Sequence, residues 1–371
     1  MKKTAPFRAD HVGSFLRPKR LVAAREKFFD TKLSADELRA IEDECITELI
    51  GQQEQAGLKG ITDGEFRRSF FHVDFLEQLD GVSVTYGDFS SKFRKDDGTE
   101  VGFRPPTMHV DAKIAHAHPI QGADFDFLNS KVKQTPKVCI PAPSMLHFRG
   151  GRKGISESVY PDLEQFYADL STAYAEEIAD LAARGCRYLQ MDDTNLAYLC
   201  DPEIRNNTIE RGDDPDELTH LYCQMVNDAI KDRPADMSVT VHLCRGNFKS
   251  AWVAQGGYEP VADILFNEMK IDGFFLEYDD ERSGDFAPLR HLPKDKQVVL
   301  GLMSSKLSRV ESKDEIIKRI MEAAQYAPLE QLALSHQCGF SSTAHGNDIS
   351  EADQWRKLER CVEVANAVWH D

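Results

Sequence analysis

The feature that most constrains this chain is the rhythm of its apolar segments. Eight short β-rich runs recur along it: Arg8–Val12, Lys59–Thr62, Lys137–Pro141, Arg187–Met191, Ser238–His242, Gly273–Glu277, Gln297–Gly301 and Gln331–Ser335. Most are unbroken apolar stretches, the pattern of parallel strands covered on both faces. Amphipathic segments lie between most of them. Ser34–Gln55 opens with Ser34-Ala-Asp-Glu37, the spacing of a capping box, and carries an apolar stripe through Leu38, Ile41, Cys45 and Leu49 up to Gly57. Asp162–Ala183, Asp214–Lys231, Ser312–Ala324 and Asp353–Trp369 also read as helices. Eight β/α alternations predict an α/β fold, a TIM (β/α)8 barrel forming one domain over residues 1–371. Residues 82–135 break the rhythm, with β-formers and the turn signals Asp96-Asp-Gly98 and Pro105-Pro106. They read as a hairpin and loop excursion between strands two and three.

In such a barrel, chemistry collects at the C-terminal ends of the strands. The strand tops here carry Ser14, Asp63-Gly-Glu65, Asp192-Asp193, His242-Leu-Cys244, Glu277, Lys306 and Cys338. His242 and Cys244 are the sharpest pair. Two residues apart on extended backbone, they point the same way, and imidazole and thiolate both suit zinc. Glu277 and Cys338, from other strand tops, would complete four ligands. On spacing alone, a chance pair of a buried thiol and a satisfied core histidine is an equal alternative. His116-Ala-His118 is a rival metal motif, but it lies in the excursion and reads as surface or packing. Asp192-Asp193 reads as functional, with capping of the next helix as the alternative. The Phe-rich run over residues 66–79 reads as core.

Composition removes whole classes of function. The chain has 45 Lys+Arg against 62 Asp+Glu, a net charge of −17, which disfavours nucleic acid and anionic membranes as partners. No run of about 18 apolar residues suggests a membrane span. The start, Met1-Lys-Lys-Thr-Ala-Pro6, is followed by Arg8 and Asp10 in place of an apolar core, so a cytoplasmic protein is expected. Its eight Cys are scattered without a C-x-x-C pair, as expected of reduced thiols. No G-x-G-x-x-G, P-loop or H-E-x-x-H motif points to dinucleotides, nucleotides or zinc-protease chemistry. Small-molecule substrates are the expected partners, and a homo-oligomer is compatible with the sequence.

Taken in order, Asp10-His-Val-Gly-Ser14, Thr62-Asp-Gly-Glu65, residues 141–148, Leu189-Gln-Met-Asp192, His242-Leu-Cys244, Leu276-Glu277 and His336-Gln-Cys-Gly339 carry a resemblance. Over almost its whole length the chain resembles the catalytic half of cobalamin-independent methionine synthase, a zinc barrel of the uroporphyrinogen-decarboxylase-like superfamily. It looks closest to short, single-barrel members without the N-terminal, folate-binding half.

The resemblance implies a Zn(2+) site of His242, Cys244, Glu277 and Cys338, and a homocysteine site at Ser14, Glu65 and Asp192. It implies methyl transfer to homocysteine, giving methionine, from 5-methyltetrahydrofolate or another donor. On the donor side, Phe148 falls where the family has a Trp, and Lys306 where full-length enzymes carry a proton-moving His. Asp193 and His11 are assigned to the same side. The stretch Arg245–Tyr258 looks longer than its counterpart. A net charge of −17 counts against a polyglutamyl tail, although Arg67-Arg68, Arg149, Arg152 and Lys153 offer a local basic patch. The alternatives are zinc-dependent alkyl transfer to a different small thiol, and a zinc-binding relative without catalysis. A metal-free decarboxylase of the same superfamily would need no H-x-C with a later Cys.

Overall fold

The computed structural model describes residues 5–86, 91–95, 98–103 and 106–370. Six parallel strands, Val138–Pro141, Tyr188–Asp193, Ser238–Leu243, Gly273–Glu277, Gln297–Met303 and Leu332–His336, pair in sequence order. Two shorter staves complete the ring. Gly60–Ile61 pairs in parallel with Thr135–Pro136, which runs directly into Val138–Pro141. Near the start of the chain, Ala9 bridges in parallel to Leu334. The seam between these two staves is held by Thr62 Oγ1, which donates to the Gly13 carbonyl at 2.6 Å, and by Phe15 N, which donates to the Gly64 carbonyl at 3.1 Å. The result is a (β/α)8 barrel.

The expected strand at Arg8–Val12 is therefore only a bridge. Its polar residues bond across the barrel interior. Asp10 accepts from the Tyr188 hydroxyl at 2.8 Å and from Lys137 Nζ at 3.1 Å, and His11 Nε2 bonds the Gly60 carbonyl at 2.9 Å. Lys137 and Asp10 are fully buried, and Lys137 Nζ lies 4.3 Å from the centre of the Phe275 ring. Removing one member of such a pair leaves the other charge uncompensated in a dry interior. Lys137→Ala is expected to lower stability by about 3–5 kcal/mol. A urea titration checks this as a lower midpoint at unchanged slope.

The long helices follow their caps. Ala35–Gln55 starts at Ser34 and Lys313–Ala323 at Ser312, each with a complete capping box. Leu163–Ala183, Pro215–Ile230 and Glu351–Trp369 are capped by Asp162, Asp214 and Ser350. Each side chain satisfies first-turn N–H groups that the helix itself cannot. Among the described residues, no helix is long and apolar enough to cross a membrane.

The excursion is two nested antiparallel pairs, Asp80–Thr85 with Thr107–Ala115 and Ser91–Arg94 with Glu100–Phe103. A helix, Gly122–Lys131, then leads back to the barrel. That helix was not expected, and its N-cap Gln121 makes no side-chain capping bond that would mark its start. Residues 96, 97 and 105 of the turn signals lie outside the described residues. His116 has a packing role: its Nε2 bonds Glu177 at 2.6 Å. Glu177 also accepts from the Ile120 and Gln121 amides, fastening the excursion to Leu163–Ala183. At its far end the excursion meets the segment after the fifth strand, where Arg94 and Trp252 exchange two backbone hydrogen bonds of 2.8 Å.

Candidate active site

Three strand tops converge on one point. His242 and Cys244 come from the end of Ser238–Leu243, Glu277 is the last residue of Gly273–Glu277, and Cys338 follows Leu332–His336. One potential ligand atom from each lies within 4.8 Å of all the others, and all four residues are buried. The Cys244 and Cys338 sulfurs are 3.5 Å apart, well beyond the ~2.05 Å of a disulfide.

Both ring nitrogens of His242 and Oε2 of Glu277 have no hydrogen-bond partner among the described residues. Buried polar atoms normally have one. Glu277 Oε1 accepts from the Arg245 amide at 2.9 Å, so one carboxylate oxygen is anchored and the other left over. Burial raises the Glu277 carboxyl to about 7. Contact with Cys244 and His242 holds Cys338 well below the usual thiol range, against burial. Burial opposes charge on His242, but Cys338, Asp192 and Glu277 outweigh it and raise the imidazole to about 9. Two sulfurs, one imidazole and one carboxylate, buried together with unpaired atoms, fit a zinc ion by donor type and number.

His242, Cys244 and Cys338 line a cavity that Ser14, Glu65 and Asp192 line at another side. Asp192 accepts from Gln190 Nε2 at 2.7 Å, and burial with the neighbouring Glu65 carboxylate raises it to about 7. Glu65 sits in the left-handed region, at φ 57°, and pairs with Arg68. Left-handed backbone at a non-glycine residue is a strain that clusters at functional sites. Ser14 Oγ accepts from the Ser341 amide at 3.2 Å.

The four residues assigned to the donor side do not line this cavity. Asp193 accepts from the Leu196 amide at 2.8 Å and bonds the Ser144 hydroxyl, so it caps the next helical turn. His11 is buried against Gly60. Phe148 packs edge-on against Tyr198 and Tyr222, each 6.3 Å away. Lys306 is buried in an ion pair with Asp279 at 3.1 Å. The roof is built by other residues: Phe70, Phe71, His72, Phe93, Arg149 and Phe248. The extra length noted in Arg245–Tyr258 and the excursion were the sequence signals for it, since they supply Phe248 and Phe93.

The family model described as the catalytic domain of cobalamin-independent synthase matches residues 7–366. The chain belongs to this family. Among its relatives is the uncharacterized protein YxjG of Bacillus subtilis, 44% identical over 99% of this chain and 96% of that one. A methionine synthase of Saccharolobus solfataricus is 24% identical over 96% of this chain and 93% of its own length. A crystal structure of a Listeria monocytogenes protein, a candidate vitamin-B12-independent methionine synthase, is 39% identical. It superposes with a TM-score of 0.80 over 100% of both chains.

Proposed function

We propose that the chain is a zinc-dependent S-methyltransferase that methylates the thiol of homocysteine to give methionine. One observation carries this reading. His242, Cys244 and Cys338, three of a four-residue set of zinc type, line one cavity with Ser14, Glu65 and Asp192, a hydroxyl and two carboxylates suited to an amino acid. Family membership supports it.

A thiol with its ordinary pKa near 8.5 is mostly protonated at neutral pH, and only the thiolate is a good nucleophile. Zinc held by His242, Cys244, Glu277 and Cys338 would supply the positive charge that keeps a substrate thiolate ionised. The chain does the rest. The Ser14 hydroxyl bonds the substrate carboxylate. Glu65 and Asp192 hold its ammonium by charge-assisted hydrogen bonds. Arg68 fixes the Glu65 carboxylate. Together they orient the thiol toward the methyl carbon and exclude water around it.

Zinc-edge X-ray absorption of the zinc-loaded protein tests the reading. Homocysteine is expected to raise the number of sulfur neighbours from two to three. An unchanged shell with homocysteine, and a changed one with another small thiol, would replace methionine formation by alkylation of that thiol. A second expectation concerns Gly339. A Cβ there would lie 2.0 Å from Ser14 Oγ, so alanine forces the hydroxyl to rotate away. Gly339→Ala should raise the KM for homocysteine by about 5- to 30-fold, the worth of one hydrogen bond of roughly 1–2 kcal/mol, while the fold is kept. Steady-state kinetics with a circular-dichroism control checks it.

A further inference from the structure

Resting on that reading, we propose that the methyl donor is a small sulfonium carboxylate. Its positive sulfur would sit among the rings of Phe70, Phe71, Phe93 and Phe248, and its carboxylate on Arg149.

The first argument is enclosure. Phe93 comes from the excursion and Phe248 from the segment after the fifth strand, with ring centroids 5.6 Å apart. The two segments are tied by the Arg94–Trp252 backbone bonds, and the excursion is tied down again by Lys95 with Asp348 at 2.5 Å. The roof is therefore a built structure. Beneath it, one cavity lined by both sets of residues must hold homocysteine and donor together.

The second argument is proton supply. A methyl group leaving a neutral amine, as in a folate, needs a proton on the departing nitrogen. Of the lining residues Asp192 is raised to about 7, but it must be a carboxylate to hold the homocysteine ammonium, and the roof adds no good acid. Burial, then the Arg149 and Arg68 charges, hold His72 well below the usual histidine range, so it is neutral. Burial pushes the Tyr198 hydroxyl up to about 12. Lys306 is engaged by Asp279 outside the cavity. A sulfonium needs no acid. The homocysteine thiolate forms a bond to the methyl carbon, the C–S⁺ bond breaks, and its electron pair stays on the departing sulfur. Negative thiolate and positive sulfonium become two neutral thioethers.

The third argument is recognition. Aromatic faces attract onium ions. Arg149 is exposed at the cavity, its Nη1 is 3.4 Å from His72 Nε2, and no carboxylate of the described residues pairs with it. Arg68, by contrast, is neutralised by Glu65. An arginine in this state suits a carboxylate.

The test uses the zinc-loaded full chain with saturating homocysteine, and reads methionine. The donors are S-methylmethionine, dimethylsulfoniopropionate, trimethylsulfonium, glycine betaine, and 5-methyltetrahydrofolate as mono- and triglutamate. The two sulfonium carboxylates are expected to exceed every other donor in kcat/KM by at least about tenfold. Arg149→Gln should raise their KM at least about tenfold and leave trimethylsulfonium unchanged, a split that mere structural damage would not produce. Phe93→Leu and Phe248→Leu should raise the KM of all sulfoniums and leave that of homocysteine unchanged. A folate or betaine donor that outperforms the sulfonium carboxylates overturns the inference, as does Arg149→Gln weakening all sulfoniums alike. If homocysteine enters the zinc shell and no sulfonium yields methionine, only this inference falls. If homocysteine does not enter the shell, the methionine reading falls and takes the inference with it.

Discussion

Replacing Cys338 by serine is expected to strip the metal and lower methyl transfer by on the order of a thousandfold. The reasoning has two parts. A serine hydroxyl does not ionise near neutral pH, so the ligand set loses a soft donor and a negative charge together. The Cys338 thiol is held well below the usual range by Cys244 and His242, so the residue already behaves as the anion of the set. Without the ion, a substrate thiol of pKa near 8.5 is about 3% thiolate at pH 7, a loss of roughly 30-fold. The thiol is also no longer held in line with the methyl carbon, which supplies the remaining factor. Cys361→Ser is the control. That thiol is fully buried and donates to the Leu334 carbonyl at 3.5 Å, far from any ligand role. Metal analysis should find about one zinc per chain in the parent and in Cys361→Ser, and almost none in Cys338→Ser. Full zinc content with unchanged turnover in Cys338→Ser would overturn the assignment.

The barrel was legible because buried parallel strands must be apolar on both faces, and because the helices carry their caps in sequence. The Arg8–Val12 stave is shorter than expected: its ladder to Leu334 runs only from Arg8 to Asp10, and the Asp10 and His11 side chains bond across the interior. His242 and Cys244 were legible as a pair because one extended strand positions both. Cys338 was not legible from spacing, as it lies 94 residues from Cys244 and meets it only through barrel closure. Asp192 and Asp193 show what strand geometry adds. Successive residues point to opposite faces, so Asp192 lines the cavity while Asp193 caps a helical turn. The roof of the cavity was the least legible part. Phe93 and Phe248 are separated along the chain by most of three β/α units and meet only across the top of the barrel. No local pattern marks either ring, and the Phe-rich run supplying Phe70 and Phe71 looks the same as core.

Glu65→Gln should weaken homocysteine binding by roughly 10- to 150-fold, the worth of a charge-assisted hydrogen bond of about 1.5–3 kcal/mol. Glutamine is close to isosteric with glutamate, so neither shape nor backbone strain at φ 57° explains a loss. Charge does, and the effect has a second source. Arg68, paired with Glu65 in the parent, keeps only carbonyl partners such as Ser342 at 2.9 Å. Its positive charge then faces the substrate ammonium. Glu65→Gln/Arg68→Gln should therefore bind homocysteine better than Glu65→Gln alone. The pH profile separates this account from simple loss of a contact. Asp192 is raised to about 7 by burial and then by the Glu65 charge. It holds the ammonium only when ionised, so parent binding should strengthen as pH rises through about 7. Removing the Glu65 charge removes one cause of the shift, so Asp192 ionises at lower pH and the rise in binding moves down with it. Calorimetry from pH 5.5 to 8.5 reads both quantities at once. Weaker binding with the rise unmoved would mean that Glu65 holds substrate without acting on Asp192. Equal binding at every pH would remove Glu65 from the site.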